Sequence, residues 1–171
     1  MCIRDSIEPL VAELRERLKG KRVFICGGTG RSFAAAALID DFGMELVGLE
    51  TPIYDEDAQT DIEYLNGIHE NFVVDIANMQ PFEQANLLSK LKPDAFIGVL
   101  EWAAKLGIPT THVLDGKRPT MGYDGLLFLG NKIADQLQNP GFNVKLAQHV
   151  KLPYKDSWYQ ENAFKYIKGG N

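Results

Sequence analysis

The chain alternates short apolar segments with segments of helical character, five times in succession. The apolar segments are RVFIC, MELVGLE, NFVVDIA, AFIGV and PTTHVL, and helical patterns separate them. Strand–helix alternation of this kind is typical of a parallel sheet with helices on both faces, joined by right-handed crossovers. We therefore predict an α/β fold, a Rossmann-like open parallel sheet of about five strands. The predicted strand order is 3-2-1-4-5.

Residues that start and stop helices divide these segments. Residues 7–19 carry apolar side chains at helical spacing, which predicts a first helix. Ser32 is the predicted cap of the alanine-rich helix that ends at Gly43. Pro81 marks the start of a later helix, and Pro140 follows the end of the longest one.

Length and composition restrict the class of protein. The chain has 171 residues, of which 45% are hydrophobic, enough for one domain with a sizeable core. Its net charge of −5 gives no general attraction to nucleic acid or to an anionic membrane. No apolar run approaches the ~20 residues that span a bilayer, and no signal-peptide pattern is present. Two cysteines, Cys2 and Cys26, are too few for a disulfide framework, so we predict a cytoplasmic protein.

The loop after the first predicted strand, GGTGRS, is a candidate binding site. In an open parallel sheet, ligands bind beyond the carboxyl ends of the strands. Gly27 and Gly28 allow a ligand to approach backbone N–H groups at the start of the next helix. Arg31 adds a positive charge with planar hydrogen-bond donors. The loop therefore predicts a site for an anion or an anionic cluster.

A dinucleotide is the less favoured alternative ligand. Gly28 and Gly30 match the first two positions of the G-x-G-x-x-G fingerprint, and Glu50 stands about twenty residues further on. Phe33 occupies the third position, where a small residue normally permits close helix–strand packing. We therefore expect the isolated domain not to bind NAD or NADP tightly.

His112 is the candidate metal ligand because it follows the fifth predicted strand on the ligand side of the sheet. An imidazole there can bind a metal, relay protons or polarise a substrate, and a hydrogen-bonded structural histidine is the alternative. Lys117 and Arg118 follow in the loop DGKRPTMGYDG. With Arg31 they either form a basic ring around an anion or are simply solvated.

The two other histidines, His69 and His149, fall in predicted helices among charged neighbours, so we expect both to be solvent-exposed. The sequence has no His-x-x-x-His or Cys-x-x-Cys motif and no paired acidic motif. A self-contained metal site is therefore not expected.

Five segments in order resemble the C-terminal domain of alpha-type subunits of the nitrogenase component 1 family. They are GKRVFICGG, DDFGMELVG, LKPDAFIG, KLGIPTTHV and MGYDGLLFLGNKIADQLQNP. The resemblance covers about residues 20–140. No single motif is diagnostic, but five in the same order at similar spacing are fairly specific.

The resemblance implies a metal-cluster pocket. Alpha-type subunits have three domains of this kind around a cluster, which in the molybdenum enzyme is an iron–molybdenum–sulfur cofactor with homocitrate. A cysteine from an earlier domain and a histidine after the GIP strand hold it, and His112 stands at that place. By this resemblance the chain is a fragment of an oxidoreductase subunit and forms one wall of the cluster and substrate pocket. The resemblance assigns Gly27, Gly28 and Arg31 to contact with the cluster, and Lys117 and Arg118 of the basic loop join them as candidate cluster-binding residues.

The resemblance also implies partners. They are a beta-type subunit of the same family and an ATP-dependent iron–sulfur reductase as electron donor, with no nucleic acid or membrane partner. The isolated chain is expected to be inactive and to hold no cluster. The intact protein is expected to hold a complex iron–sulfur cluster that contains molybdenum or iron. The segment between FIG and GIP is shorter than in the molybdenum enzyme and lacks its lysine, and the loop after His112 is about two residues shorter. A cofactor-assembly scaffold, or a reductase of tetrapyrroles or thioethers, therefore stays open.

The chain divides into three predicted parts. Residues 1–6, MCIRDS, resemble a translated sequencing adapter and are predicted to be a cloning or assembly scar. Residues 7–150 form the single Rossmann-like domain. Residues 151–171 form an aromatic tail without helical period, which either wraps its own domain or is covered by another surface. Because the subunits of the family run to several hundred residues, we predict that the chain is one domain of a larger subunit.

Overall fold

A five-stranded sheet forms the centre of the molecule. The computed structural model describes residues 3–77, 80–98, 101–112 and 122–161. The strands are β1 (Arg22–Cys26), β2 (Glu45–Thr51), β3 (Val73–Ile76), β4 (Ala95–Gly98) and β5 (Thr110–Thr111). Their order is β3-β2-β1-β4-β5 and every neighbouring pair is parallel. The predicted fold class and strand order are both confirmed.

Helices cover both faces of this sheet. They are α1 (Ile3–Leu18), α2 (Thr29–Asp40), α3 (Glu56–Asn66), α4 (Pro81–Leu91), α5 (Glu101–Lys105), α6 (Gly122–Gln138), α7 (Gly141–His149) and α8 (Asp156–Gln160). Alternate residues of β1 point to opposite faces. Val23 and Ile25 join the larger core with α1, α2, α3 and α6, whereas Phe24 and Cys26 join a smaller core with α4 and α5. None of the helices in the described ranges combines the length and the apolar character needed to cross a membrane.

Two helices begin earlier than the sequence indicates. Helix α1 starts at Ile3, and Asp5 in its first turn interacts favourably with the helix dipole. Residues 3–6, the described part of the proposed scar, continue this helix, and their origin stays a prediction. Helix α2 starts at Thr29, so the prediction of Ser32 as its cap is wrong. Ser32 lies buried in the first turn, where its hydroxyl donates a hydrogen bond to the backbone oxygen of Glu50 at 3.4 Å.

His69 is a correction to the sequence analysis. The sequence predicted a solvent-exposed helical position, but helix α3 ends at Asn66 and the side chain of His69 is only 6% exposed. Its Nε2 lies 2.9 Å from the carbonyl oxygen of Ala36. Because a carbonyl oxygen only accepts, Nε2 donates this bond and ties the end of α3 to α2. His149 is exposed, as expected.

The first residues of the aromatic tail pack against their own domain. Asn86 of α4 is buried, and its Nδ2 donates to the carbonyl oxygens of Trp158, at 2.7 Å, and Glu161, at 3.1 Å. The ring of Phe82 lies 4.0 Å from that of Trp158 and 4.7 Å from that of Tyr154, between centroids. The short helix α8 was not predicted. For residues 151–161 the structure favours the alternative in which the tail wraps its own domain.

Candidate functional site

The glycine loop and His112 lie at the same edge of the sheet. Ile25 pairs with Ile97, and Ile97 pairs with Thr111, so these three residues form one row across β1, β4 and β5. Gly27 follows the last residue of β1, and His112 follows the last residue of β5. Because only β4 separates the two strands, the loops begin about two strand spacings apart, ~10 Å. The strand order thus brings both predicted positions to the carboxyl edge.

The glycine loop leaves open space in front of helix α2. Gly28 is the N-cap residue, with φ −65° and ψ 149°, and no side chain caps the helix there. Among the atoms that the structure describes, a Cβ added at Gly28 or Gly30 would meet none within 4 Å, whereas one at Gly27 would approach Ser32 Oγ at 3.2 Å. Arg31, in the first turn of α2, is exposed. An uncapped helix start beside an exposed guanidinium suits an anion.

His112 is half-buried and does not belong to either hydrophobic core. Among the residues that the structure describes, no group of three or more His, Cys, Asp or Glu side chains is arranged to hold a metal ion. A metal bound at His112 would therefore need further ligands from elsewhere. Lys117 and Arg118 lie outside the described residues, so the predicted basic ring stays a prediction.

A row of polar side chains that the sequence analysis missed lies on the face of the sheet under α4. Cys26, Glu50 and Asp75 pair side by side across β1, β2 and β3. Glu50 is only 1% exposed and Asp75 only 6%. Above them, Nε2 of the buried Gln84 on α4 donates to Oε2 of Glu50 at 2.5 Å. We call these four residues, Cys26, Glu50, Asp75 and Gln84, the acid row.

Burial dominates the electrostatics of the acid row. It raises the pKa of Glu50 to about 7, and the negative charge of Asp75 adds to that effect. Burial likewise raises the pKa of Asp75 to about 6, and the charge of Glu83 adds to it. Burial and then the charge of Glu50 raise the pKa of the Cys26 thiol far above its ordinary value. Near neutral pH Glu50 is therefore only partly ionised and Cys26 stays an unreactive thiol.

The acid row also bears on the dinucleotide alternative. That alternative needs the Glu50 carboxylate to be accessible at the strand end, where it would bind a ribose hydroxyl. Instead the carboxylate is buried beneath α4 and bonded to Gln84. Phe33, in the third position of the fingerprint, is packed in the larger core. The sequence signal for the row was an acidic residue in each of two apolar strands, VGLE and VVDI.

Comparison with known proteins gives a family. The sequence model of the family of nitrogenase component 1 type oxidoreductases matches residues 4–138 of the chain. The chain is 28% identical to the nitrogenase molybdenum-iron protein alpha chain of Methanothermobacter thermautotrophicus over 145 residues, 82% of this chain and 30% of that protein. It is 30% identical to the nitrogenase iron-molybdenum cofactor biosynthesis protein NifE of Sinorhizobium fredii over 132 residues, 75% of this chain and 26% of that protein.

Solved structures have the same fold. The structure described as nitrogenase Cp1 at pH 6.5 superposes with a TM-score of 0.69 at 18% identity, over 86% of this chain and 34% of that one. Nitrogenase Cp1 at pH 5 gives a TM-score of 0.61 at 19% identity, over 88% of this chain and 36% of that one. At this identity the likeness concerns the fold alone. The chain spans about a third of the length of these relatives.

Proposed function

The chain belongs to the family of nitrogenase component 1 type oxidoreductases, and we propose that it forms one wall of a metal-cluster and substrate pocket in a larger subunit. The observation that carries the proposal is the sheet edge shared by the glycine loop and His112. Because the chain spans about a third of its relatives, the remaining walls belong to other domains or subunits.

The residues at this edge fit an anionic cluster that is held mainly by other parts of the protein. A Cβ at Gly28 or Gly30 would meet none of the described atoms, so the backbone at these two positions is accessible to a ligand. An exposed Arg31 favours negative charge there. A single imidazole, His112, suits one metal of a cluster whose other ligands lie elsewhere. These features support the fit without requiring a complete metal site in this domain.

Each residue at the edge has a distinct role in the proposal. The backbone N–H groups of Gly27 and Gly28 donate to the anionic surface of the cluster, and Arg31 neutralises charge and excludes cations. His112 ligates a metal or donates a hydrogen bond to the cluster. Lys117 and Arg118 complete the basic surround. When bound, a complex iron–sulfur cluster containing molybdenum or iron would store the electrons that a substrate receives.

The same proposal assigns partners and a location. A beta-type subunit and an ATP-dependent iron–sulfur reductase complete the intact oxidoreductase, in the cytoplasm, and the isolated chain is inactive. The relatives named as alpha chains of a molybdenum-iron protein support this assignment. The net charge of −5 argues against a nucleic-acid partner. The division into residues 1–6, 7–150 and 151–171 is part of the proposal.

A cofactor-assembly scaffold is the second candidate function. Two of the relatives are named as iron-molybdenum cofactor biosynthesis proteins, at 27% and 30% identity, which matches the identity to the alpha chains. Both functions use a cluster pocket, so they differ in the fate of the cluster. A scaffold passes its cluster to an acceptor protein, whereas the catalytic subunit keeps it and reduces substrate.

The test uses His112→Ala in the intact, cluster-loaded protein. We expect lower metal content or an altered electron paramagnetic resonance spectrum, with an unchanged circular dichroism spectrum. His149→Ala is the matched control, because His149 is exposed at the end of α7. Full metal content with an unchanged spectrum in the His112 variant would make His112 a structural residue. Substrate reduction with the reductase, set against transfer of the cluster to a cluster-free acceptor, separates the two functions.

A further inference from the structure

The acid row places two acidic side chains, Glu50 and Asp75, close together on one face of the sheet. Glu50 and Asp75 pair on neighbouring strands and point to the same face, about 5 Å apart at their backbones. Within the described residues neither carboxyl group forms an ion pair. The acidic or charged groups that act on them are Cys26 from β1 and Glu83 from α4. Two carboxylates this close in a buried place cannot both ionise readily.

The acid row has fewer hydrogen-bond donors than acceptors. Among the described residues, neither of the buried acceptors Asp75 Oδ2 and Gln84 Oε1 has a hydrogen-bond partner. Gln84 belongs to the row, since its Nε2 binds Glu50. A buried acceptor without a donor is destabilising. The acid row therefore needs one more hydrogen-bond donor and not another acceptor.

The orientation of the Gln84 amide does not change this conclusion. The oxygen and nitrogen of an amide are assigned from their neighbours, so the reverse orientation must be considered. In that orientation Oε1 of Gln84 would face Oε2 of Glu50 across the same 2.5 Å. Two acceptors at that distance need a hydrogen between them. In either orientation the row needs one more hydrogen.

We propose that Glu50 and Asp75 form a proton-binding site in which the bound hydrogen supplies the missing donor and joins β2 and β3 to helix α4. A proton from solvent turns one carboxylate oxygen into an O–H group, which donates to Gln84 or to the other carboxyl. No electron moves and no other bond changes. When the proton leaves, two buried charges remain beside Glu83, and α4 loosens to admit water.

The direction of the pH effect follows from the raised pKa values of both carboxyls. Glu50 has a pKa of about 7 in the folded chain against an ordinary 4.5, and Asp75 about 6 against 3.8. Between about pH 4 and pH 7 the folded chain thus binds more protons than the unfolded chain. Stability therefore falls as pH rises through this window, and the dependence ends above the folded-state pKa values.

Tryptophan fluorescence reports on the position of helix α4. Its outer side holds the first part of the tail through Asn86 and Phe82. The two tryptophans of the chain both lie in this aromatic contact, Trp158 against Phe82 and Trp102 against Tyr154. Loosening of α4 should therefore change the intrinsic tryptophan fluorescence.

The experiment measures urea unfolding and tryptophan fluorescence of the full chain from pH 5 to pH 8. The wild-type unfolding equilibrium constant should rise at least roughly 100-fold between pH 5 and pH 7, tenfold per pH unit for one proton, and should level off above pH 7. In the double variant E50Q/D75N it should change less than about threefold, because amides carry permanent hydrogens. E45Q is the matched control, since Glu45 is an exposed acid at the start of the same strand, and it should keep the wild-type profile.

A measurement on the wild-type chain tests the proposal even if the variants fail to fold. Carbon-13 resonances of the Glu50 and Asp75 carboxyls in the wild-type chain should titrate with midpoints near or above pH 6. Ordinary midpoints, or a wild-type pH profile in E50Q/D75N, would overturn the proposal. Added Mg²⁺ at pH 8 should leave the unfolding midpoint unchanged. A stabilisation by Mg²⁺ that E50Q abolishes would identify a cation site instead and would equally overturn it.

Discussion

Replacing Gly130 by alanine should destabilise the chain, although alanine is the better helix former. Gly130 is a buried residue in the middle of α6. A Cβ at this position would lie 2.6 Å from Cζ of Phe42 and 2.8 Å from Cδ1 of Leu14. Carbon atoms that pack favourably are about 3.5–4.0 Å apart. The ring of Phe42 and the side chain of Leu14 would each have to retreat by about 1 Å.

Two opposing effects set the magnitude. Alanine gains about 1 kcal/mol over glycine in a helix interior. Overpacking of a well-filled core costs about 1–3 kcal/mol. Phe42 is fully buried and Leu14 nearly so, and they belong to different elements, so relief requires α1 and the turn after α2 to move together. We take the upper half of that range and expect a net loss of about 1–2 kcal/mol.

Urea unfolding gives this loss as a lower midpoint at unchanged slope. Gly141→Ala is the control, because Gly141 begins α7 and its added Cβ would meet none of the described atoms within 4 Å, so stability should stay at or slightly above wild type. Adding Phe42→Leu to Gly130→Ala should cost less than the sum of the single changes, since the smaller side chain leaves room for the methyl group. Gly130→Ala with wild-type stability or better would refute the reasoning.

Two further predictions concern the tail and the alternative ligand. Asn86→Ala removes both hydrogen bonds to the carbonyls of Trp158 and Glu161. It should lower the free energy of unfolding by about 1–2 kcal/mol and shift the tryptophan fluorescence to longer wavelength. An unchanged spectrum would mean that other contacts hold the tail. Calorimetry at millimolar NAD or NADP should show no tight binding, because the Glu50 carboxylate is buried beneath α4 and bonded to Gln84, and micromolar affinity would restore the dehydrogenase interpretation.

The fold was predictable because its signals are local. Apolar strands, glycine stops and proline starts each depend on a few neighbouring residues, and the usual strand order of doubly wound folds then predicted the order of the sheet. The start of α2 was missed because Gly28 takes the cap position without a capping side chain. His69 was misplaced because α3 ends three residues before it, and the turn that follows buries the ring.

The acid row was not predictable from the sequence, for a reason of register. The pairing of β1 with β2 shifts by one residue between Val23 and Phe24. Since successive side chains in a strand alternate between faces, such a shift decides which residues of MELVGLE lie on the α4 side. The sequence alone places Glu50 at the strand end but not on a face. Its burial and its bond to Gln84 follow only from the paired strands.

The acid row and the proposed anion pocket lie at neighbouring positions, which sets a constraint on both. Cys26 directly precedes Gly27, so the row lies beneath the start of the glycine loop. A full negative charge on Glu50 at ~10 Å from an anionic cluster would oppose its binding by about 1.7 kcal/mol at an effective dielectric constant of about 20. Ionisation of Asp75 would add to this opposition. A row that holds a proton near neutral pH removes much of this repulsion while keeping polar side chains under the loop. Buried carboxyls beside an anion site are therefore compatible with the proposed pocket if they retain a proton.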